Sequence, residues 1–218
     1  MKKILIFFIV PLSTVLFNIV HFDTVFQWLS SFVYIFVNVT FSIVCYKLFD
    51  SNRLSTKSSK KQIIILIIAL TLIDQLIKVI IHFTQSSIGI IGEIFRIKIS
   101  KNTNQTAMFN LFGIELDTLL ITIMKLFLIV LLIVFFMKIK NKSNNLWCAF
   151  ILLLSASIAN FIDSAVWGYT LDYIYFYRLV CYDLKDFYVD TAIGYLLIVF
   201  LFSHKSKNNN RIKSNAQN

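Results

Sequence analysis

A single proline, Pro11, and five glycines are all that break a chain of 218 residues, so its apolar stretches run on with little punctuation. Charge is also scarce: 15% of the residues are charged and 58% are hydrophobic, at a mean hydropathy of +0.77. That balance excludes a soluble globular domain and places the chain among polytopic membrane proteins. The three cysteines, Cys45, Cys148 and Cys181, form no C-x-x-C and no even-numbered framework, which excludes a disulfide scaffold. Cys45 and Cys148 lie in apolar runs as small hydrophobes, and Cys181 lies in a polar connection as a free thiol. His21, His82 and His204 are far apart and lack metal-ligand spacing, so neither a metal nor another cofactor is expected. Acidic residues number 11 against 21 basic ones. The lysines cluster in short segments between apolar runs, with no stripe of interleaved arginine and aromatic residues. This is the pattern of cytoplasmic loops, so the expected partners are membrane lipids and not nucleic acid.

The apolar runs give the architecture. Met1-Lys2-Lys3 followed by Ile4 to Val20 has the charged and apolar regions of a signal peptide. No small-x-small cleavage pattern follows, which favours an uncleaved first span with Pro11 as a kink. Further spans are expected over residues 26–49, 62–83, 118–137, 146–162 and 187–202. The basic segments at 50–61, 138–145 and from His204 onward should be cytoplasmic, leaving 84–117 and 163–186 outside. Within the first of these, Ile88 to Ile99 ends in the alternating F-R-I-K-I of a half-buried strand, a small sheet or hairpin on the outer surface. An amphipathic interfacial segment is the plainer alternative. Tyr173 to Tyr182, Y-I-Y-F-Y-R-L-V-C-Y, reads as an interfacial aromatic belt, with a lid as its alternative. The expectation is an all-α polytopic membrane protein with a four-helix transmembrane core, two N-terminal spans and a small extracytoplasmic β or loop element. Its parts are two front spans (1–49), a basic loop (50–61), the core (62–203) and a basic tail (204–218).

Few residues carry chemistry. Asp74 and Lys78 stand at i and i+4 inside a span, as an orienting salt bridge or as part of a reaction. Asn102 to Asn110 is rich in amides and, taken alone, reads as an ordinary loop. Asn160, Asp163, Asp172 and Asp190 then line up at or beside the ends of apolar runs. Two aspartates brought together can share a proton. The ionised one takes a proton from water while the other hydrogen-bonds the scissile carbonyl. For a lone Asp186 or Asp190, helix capping is the competing reading.

The set in this order resembles the lipoprotein signal peptidase family, signal peptidase II. Its D-Q-x-x-K is matched by Asp74-Gln75-Leu76-Ile77-Lys78, and its N-x-G-A-A-F-G by the stretch Asn104 to Asn110. Its G-N-x-x-D-R and G-x-v-v-D-F are matched by Ala159 to Ser164 and Gly168 to Tyr173, and its F-N-x-A-D-x-x-I by Asp186 to Ile193. The resemblance covers about residues 62–202 and implies a catalytic pair Asp172 and Asp190, supported by Asp74, Lys78, Asn104, Asn160 and Asp163. It implies an aspartic endopeptidase of the bacterial cell membrane, with its active site at the extracytoplasmic surface. The substrate would be a lipid-modified prelipoprotein, cut before its diacylglyceryl cysteine, or another membrane peptide. The sequence departs from the pattern at Thr106 and Ala159 in place of glycines, at Ser164 in place of an arginine, and at Phe187 in place of an asparagine. The second departure leaves Asp163 without a neighbouring cation, and the third removes an amide near the pair. Hydrolysis is expected to persist, with a narrowed or altered substrate choice. The alternatives are a non-catalytic binder of lipidated peptides, such as an immunity protein, and a small transporter component using Asp74 and Lys78 as a relay.

Overall fold

The computed structural model describes residues 3–50, 60–84, 87–102, 117–140 and 142–215, with side chains for all of these except residue 50 and residues 203–215. Helix α1 (Ile9–Asn18) is flanked by 3-10 turns at Ile4–Phe8 and Ile19–His21. Pro11 lies in its first turn, where its missing N–H leaves no helical bond unmade. The other helices are α2 (Val25–Asp50), α3 (Lys60–Thr84), α4 (Thr118–Lys138), α5 (Asn144–Ile162) and α6 (Leu184–Asn215). Among the described residues, five helical segments are long and apolar enough to cross a membrane, α1 with its flanking turns to α5. Residues 187–202 form a helix as expected, but α6 opens with Lys185, Asp186 and Asp190 and is more polar at that end. Phe17, Phe127, Phe135 and Phe200 lie exposed along the spans, as side chains facing lipid do.

Helix α5 is the axis of the bundle. Half of its span is buried, against 22–28% for the others. Ala149, Ser155, Ala156 and Ala159 keep its surface small, so α3, α4 and α6 all pack closely against it. The front segments are part of this packing. Phe7, Cys45 and Phe49 join Cys148, Leu152, Tyr188, Ala192 and Tyr195 in one apolar cluster. The Phe7 ring lies so close to Gly194 that a Cβ there would overlap it.

Past its last α-turn, α5 widens into a π turn, Asp163–Trp167, and Gly168 at φ +72° turns the chain out of the helix. There follows a four-stranded antiparallel sheet in the order β1 (Ile88–Ile91), β2 (Phe95–Asn102), β3 (Thr170–Phe176) and β4 (Val180–Tyr182). The hairpin expected at 88–99 is present as β1 and β2. The aromatic segment 173–182 forms a second hairpin, β3 and β4. Leu171, Tyr173 and Phe176 are buried between the sheet and the helices, with Tyr34 and Phe95 against Phe176. An extra residue in β2 between Ile97 and Ser100 leaves Ser100 opposite Asp172.

Candidate active site

The sheet and the start of α6 set the aspartates. Asp183 and Asp186 close a reciprocal box: the Asp183 N–H donates to Asp186 Oδ2 at 3.0 Å, and the Asp186 N–H donates to Asp183 Oδ1 at 3.2 Å. Capping is thus the work of Asp183 and Asp186. Asp190 stands one turn further in, free for another use. Asp172 on β3 and Asp190 on α6 line the same cavity, of about 330 Å³, together with Asn102, Asn160, Tyr182 and Lys185. Both carboxylates are buried. Asp172 Oδ2 accepts from Asn102 at 3.4 Å, and its Oδ1 lies 3.9 Å from Lys185 Nζ. Burial pushes the Asp172 carboxyl up to about 6, against the pull of the Lys185 ammonium. Asp190 Oδ2 accepts from Asn38 Nδ2 at 2.5 Å and from the Tyr182 hydroxyl at 3.2 Å.

Behind the cavity lies a buried ionic network. Lys78 Nζ sits 2.8 Å from Asp74, 2.7 Å from Asp163 and 2.7 Å from Asp183, and all four side chains are fully buried. Lys185 bonds Asp183 and lies 3.3 Å from Asp163, and its backbone N–H donates to Asp74 Oδ1 at 3.2 Å. The Asp74–Lys78 bridge is therefore real and is one edge of a larger cluster. The expected lack of a cation beside Asp163 is wrong: Lys78 and Lys185 both pair with it, and Gln75 donates to its Oδ1 at 2.9 Å. Where the arginine of the resembling pattern is Ser164, Lys125 of α4 reaches in, bonding the Ser164 hydroxyl and Asn160 Oδ1, the latter at 3.0 Å. Asn104 lies outside the described residues.

An expected consequence of the network is acid sensitivity through Asp183. Burial opposes its charge, but the Lys185 and Lys78 ammonium groups outweigh burial and hold its carboxyl below the usual range. A depressed folded-state value stabilises the protein above the ordinary aspartate range, and that stability is lost as pH falls through the folded value. Unfolding midpoints of wild type and Asp183→Asn in detergent should therefore differ most near neutrality and converge in acid. A gap independent of pH would count against this ionic role.

Oxygens of Asp172, Asp183 and Asp186 lie within 4.8 Å of one another, a spacing that suits a hard cation. Lys185 already supplies positive charge there, bonded to Asp183 and beside Asp172, so a metal would have to displace an ammonium.

Lys185, Asp183, Asn38, Tyr182 and Lys125 went unmarked in the sequence. The D-L-K-D that opens α6 was the available sign for the first two. On α2, Gln27, Ser31, Tyr34, Asn38 and Ser42 recur at helical spacing in an otherwise apolar run and are all buried.

The sequence model of the family described as Signal peptidase (SPase) II matches residues 66–202. Two solved structures share the fold, each described as a bacterial membrane enzyme structure by the in meso method, one at 1.9 Å and one at 2.3 Å resolution. The first has a TM-score of 0.55 and 22% identity over 66% of this chain and 94% of its own. The second has a TM-score of 0.54 and 24% identity over 71% of this chain and 94% of its own. No curated protein matched the sequence. The family match takes in the network, the π turn, β3 and all three cavity aspartates, and it spans well over half of the chain: this multi-pass membrane protein belongs to the signal peptidase II family.

Proposed function

We propose that the protein is an aspartic endopeptidase that removes signal peptides from diacylglyceryl-modified prelipoproteins at the extracytoplasmic face of the bacterial cell membrane. Asp172 and Asp190 are its catalytic pair. The observation that supports this reading is that both side chains line one cavity beside the sheet. In the reaction, one ionised aspartate takes a proton from the attacking water. The other, protonated, hydrogen-bonds the scissile carbonyl as charge grows on its oxygen, and then protonates the leaving amine. Asp74, Lys78 and Asp163 hold α3, the π turn and the start of α6 in register through the buried network, while Asn160 offers a polar side chain to the cavity. A relay reading of Asp74 and Lys78 has less support, since each is fully buried and tied to fixed partners.

The test is cleavage by purified protein in detergent, with a diacylglyceryl-modified prelipoprotein beside its unmodified form. Cleavage of the lipidated form alone is expected, before the modified cysteine. Equal cleavage of both forms would turn the proposal toward a general membrane peptidase, and no cleavage of either by folded protein would leave a binding protein.

A further inference from the structure

Residues 1–65 precede the family match, yet Asn38 of α2 bonds Asp190, one of the aspartates that line the cavity. Four of the buried polar side chains of α2, Ser30, Tyr34, Asn38 and Ser42, bond the sheet, its turn or α6. Ser30 Oγ donates to the Ile94 carbonyl at 3.2 Å, the Tyr34 and Tyr182 hydroxyls bond at 2.9 Å, and those of Ser42 and Thr191 at 2.8 Å. Between them, Asn38 Nδ2 donates to Asp190 Oδ2, the oxygen that also accepts from Tyr182. Asp190 therefore has two donors fixing one oxygen, one carried by α2 and the other braced by Tyr34 of α2. Phe187, one turn before Asp190 on α6, is buried against Phe41 and Tyr182 and brings no amide. The other ionisable groups around the cavity are Asp172 from β3, Cys181 and Tyr182 from β4, and Lys185 and Asp186 from α6 itself. Lys185 pairs with Asp163, Asp172 and Asp183.

We propose that Asn38 is a positioning residue of the active site, holding the Asp190 carboxylate in its reactive orientation, so that the front span α2 is a working part of the enzyme. The inference rests on the reading of Asp190 as catalytic. A buried carboxylate without a fixed partner samples several rotamers, whereas one anchored through Oδ2 presents Oδ1 to water and substrate in a constant direction. Asn38 touches neither water nor peptide in this scheme, so its loss acts on turnover and not on substrate affinity.

The experiment uses the full chain in detergent. Asn38→Leu keeps the branched outline of the side chain and removes the donor, Asn38→Ala serves if the leucine does not fold, and Ser42→Ala cuts an α2–α6 bond, to Thr191, that leaves both donors to Asp190 in place. Expected is a fall in kcat of about tenfold for either Asn38 variant, the scale of one lost bond to a charged group, with KM within about twofold. Ser42→Ala should keep the wild-type kcat. In parallel, the 13C carboxyl resonance of Asp190, assigned by its absence in Asp190→Asn, should move in the Asn38 variants and stay in Ser42→Ala. Unchanged kcat and an unmoved resonance in a folded Asn38 variant would overturn the proposal. Equal losses in Asn38 and Ser42 variants would also overturn it, reducing α2 to packing. If the wild type cleaves nothing, the peptidase reading falls by itself. The resonance then still decides whether Asn38 holds Asp190.

Discussion

Asp172→Asn and Asp190→Asn should each lower cleavage of a diacylglyceryl prelipoprotein by about a thousandfold, with unfolding midpoints close to wild type. An amide keeps the shape of the carboxyl but neither takes a proton from water nor gives one to the leaving amine. Removal of an acid–base group of this kind costs on the order of 10²–10⁴ in rate. The environment of Asp172 suits the protonated role. Burial lifts its carboxyl to about 6, so near neutral pH it keeps a protonated fraction that an ordinary aspartate lacks. The informative control is Asp186, the third carboxylate on the cavity wall. Its Oδ2 accepts the Asp183 N–H, a bond the amide oxygen of Asp186→Asn can also accept, so that variant should keep the start of α6 and cost less than tenfold in rate. A thousandfold loss in Asp186→Asn beside near-normal activity in Asp190→Asn would move the pair to Asp172 and Asp186 and sink the present assignment.

Much of the scaffold was legible because membrane spans are written in length and hydropathy. The runs 62–83, 118–137 and 146–162 fall within a few residues of α3, α4 and α5. The start of α6 was placed three residues late, since D-L-K-D reads as a polar loop until its carboxylates are seen closing a capping box and its lysine entering the ionic network. The strand β3 escaped for a different reason. Period-two alternation marks a strand with one wet face, but Thr170, Leu171, Asp172 and Tyr173 are all buried, so both faces of that stretch are covered and the alternation is lost. Asn38 was harder still. It stands inside an apolar run, 152 residues before the carboxylate it binds, and only its helical spacing from Tyr34 and Ser42 sets it apart from a lipid-facing polar residue. Asp74, Lys78 and Asp163 were marked as members of a pattern. Their common purpose appeared only when the fold put Asp183 and Lys185 among them.

That common purpose gives the largest expected effect on stability. Lys78→Met should destabilise the protein by about 3–5 kcal/mol, the cost of removing one partner from a buried ionic cluster. Lys78 is within 2.8 Å of three carboxylates, Asp74, Asp163 and Asp183. With it gone, Lys185 alone faces them, and it is already bonded to Asp183 and drawn toward Asp172. Methionine fills nearly the same volume, so the loss reports charge more than packing. The sign with pH separates the two. Asp183 without Lys78 has less to offset its burial, so its protonated form becomes the easier one to keep in the folded state. Lys78→Met should therefore lie furthest below wild type near neutrality and regain part of the gap on acidification. A packing defect would leave the gap constant. Lys78→Arg keeps the charge but asks a planar, larger fork to fit where one ammonium meets three carboxylates, and it should recover only part of the loss. Unfolding midpoints in detergent across pH, with activity measured on the folded fraction, would show whether the network holds the α3–α6 junction, as its geometry requires. A wild-type midpoint in Lys78→Met would refute that role.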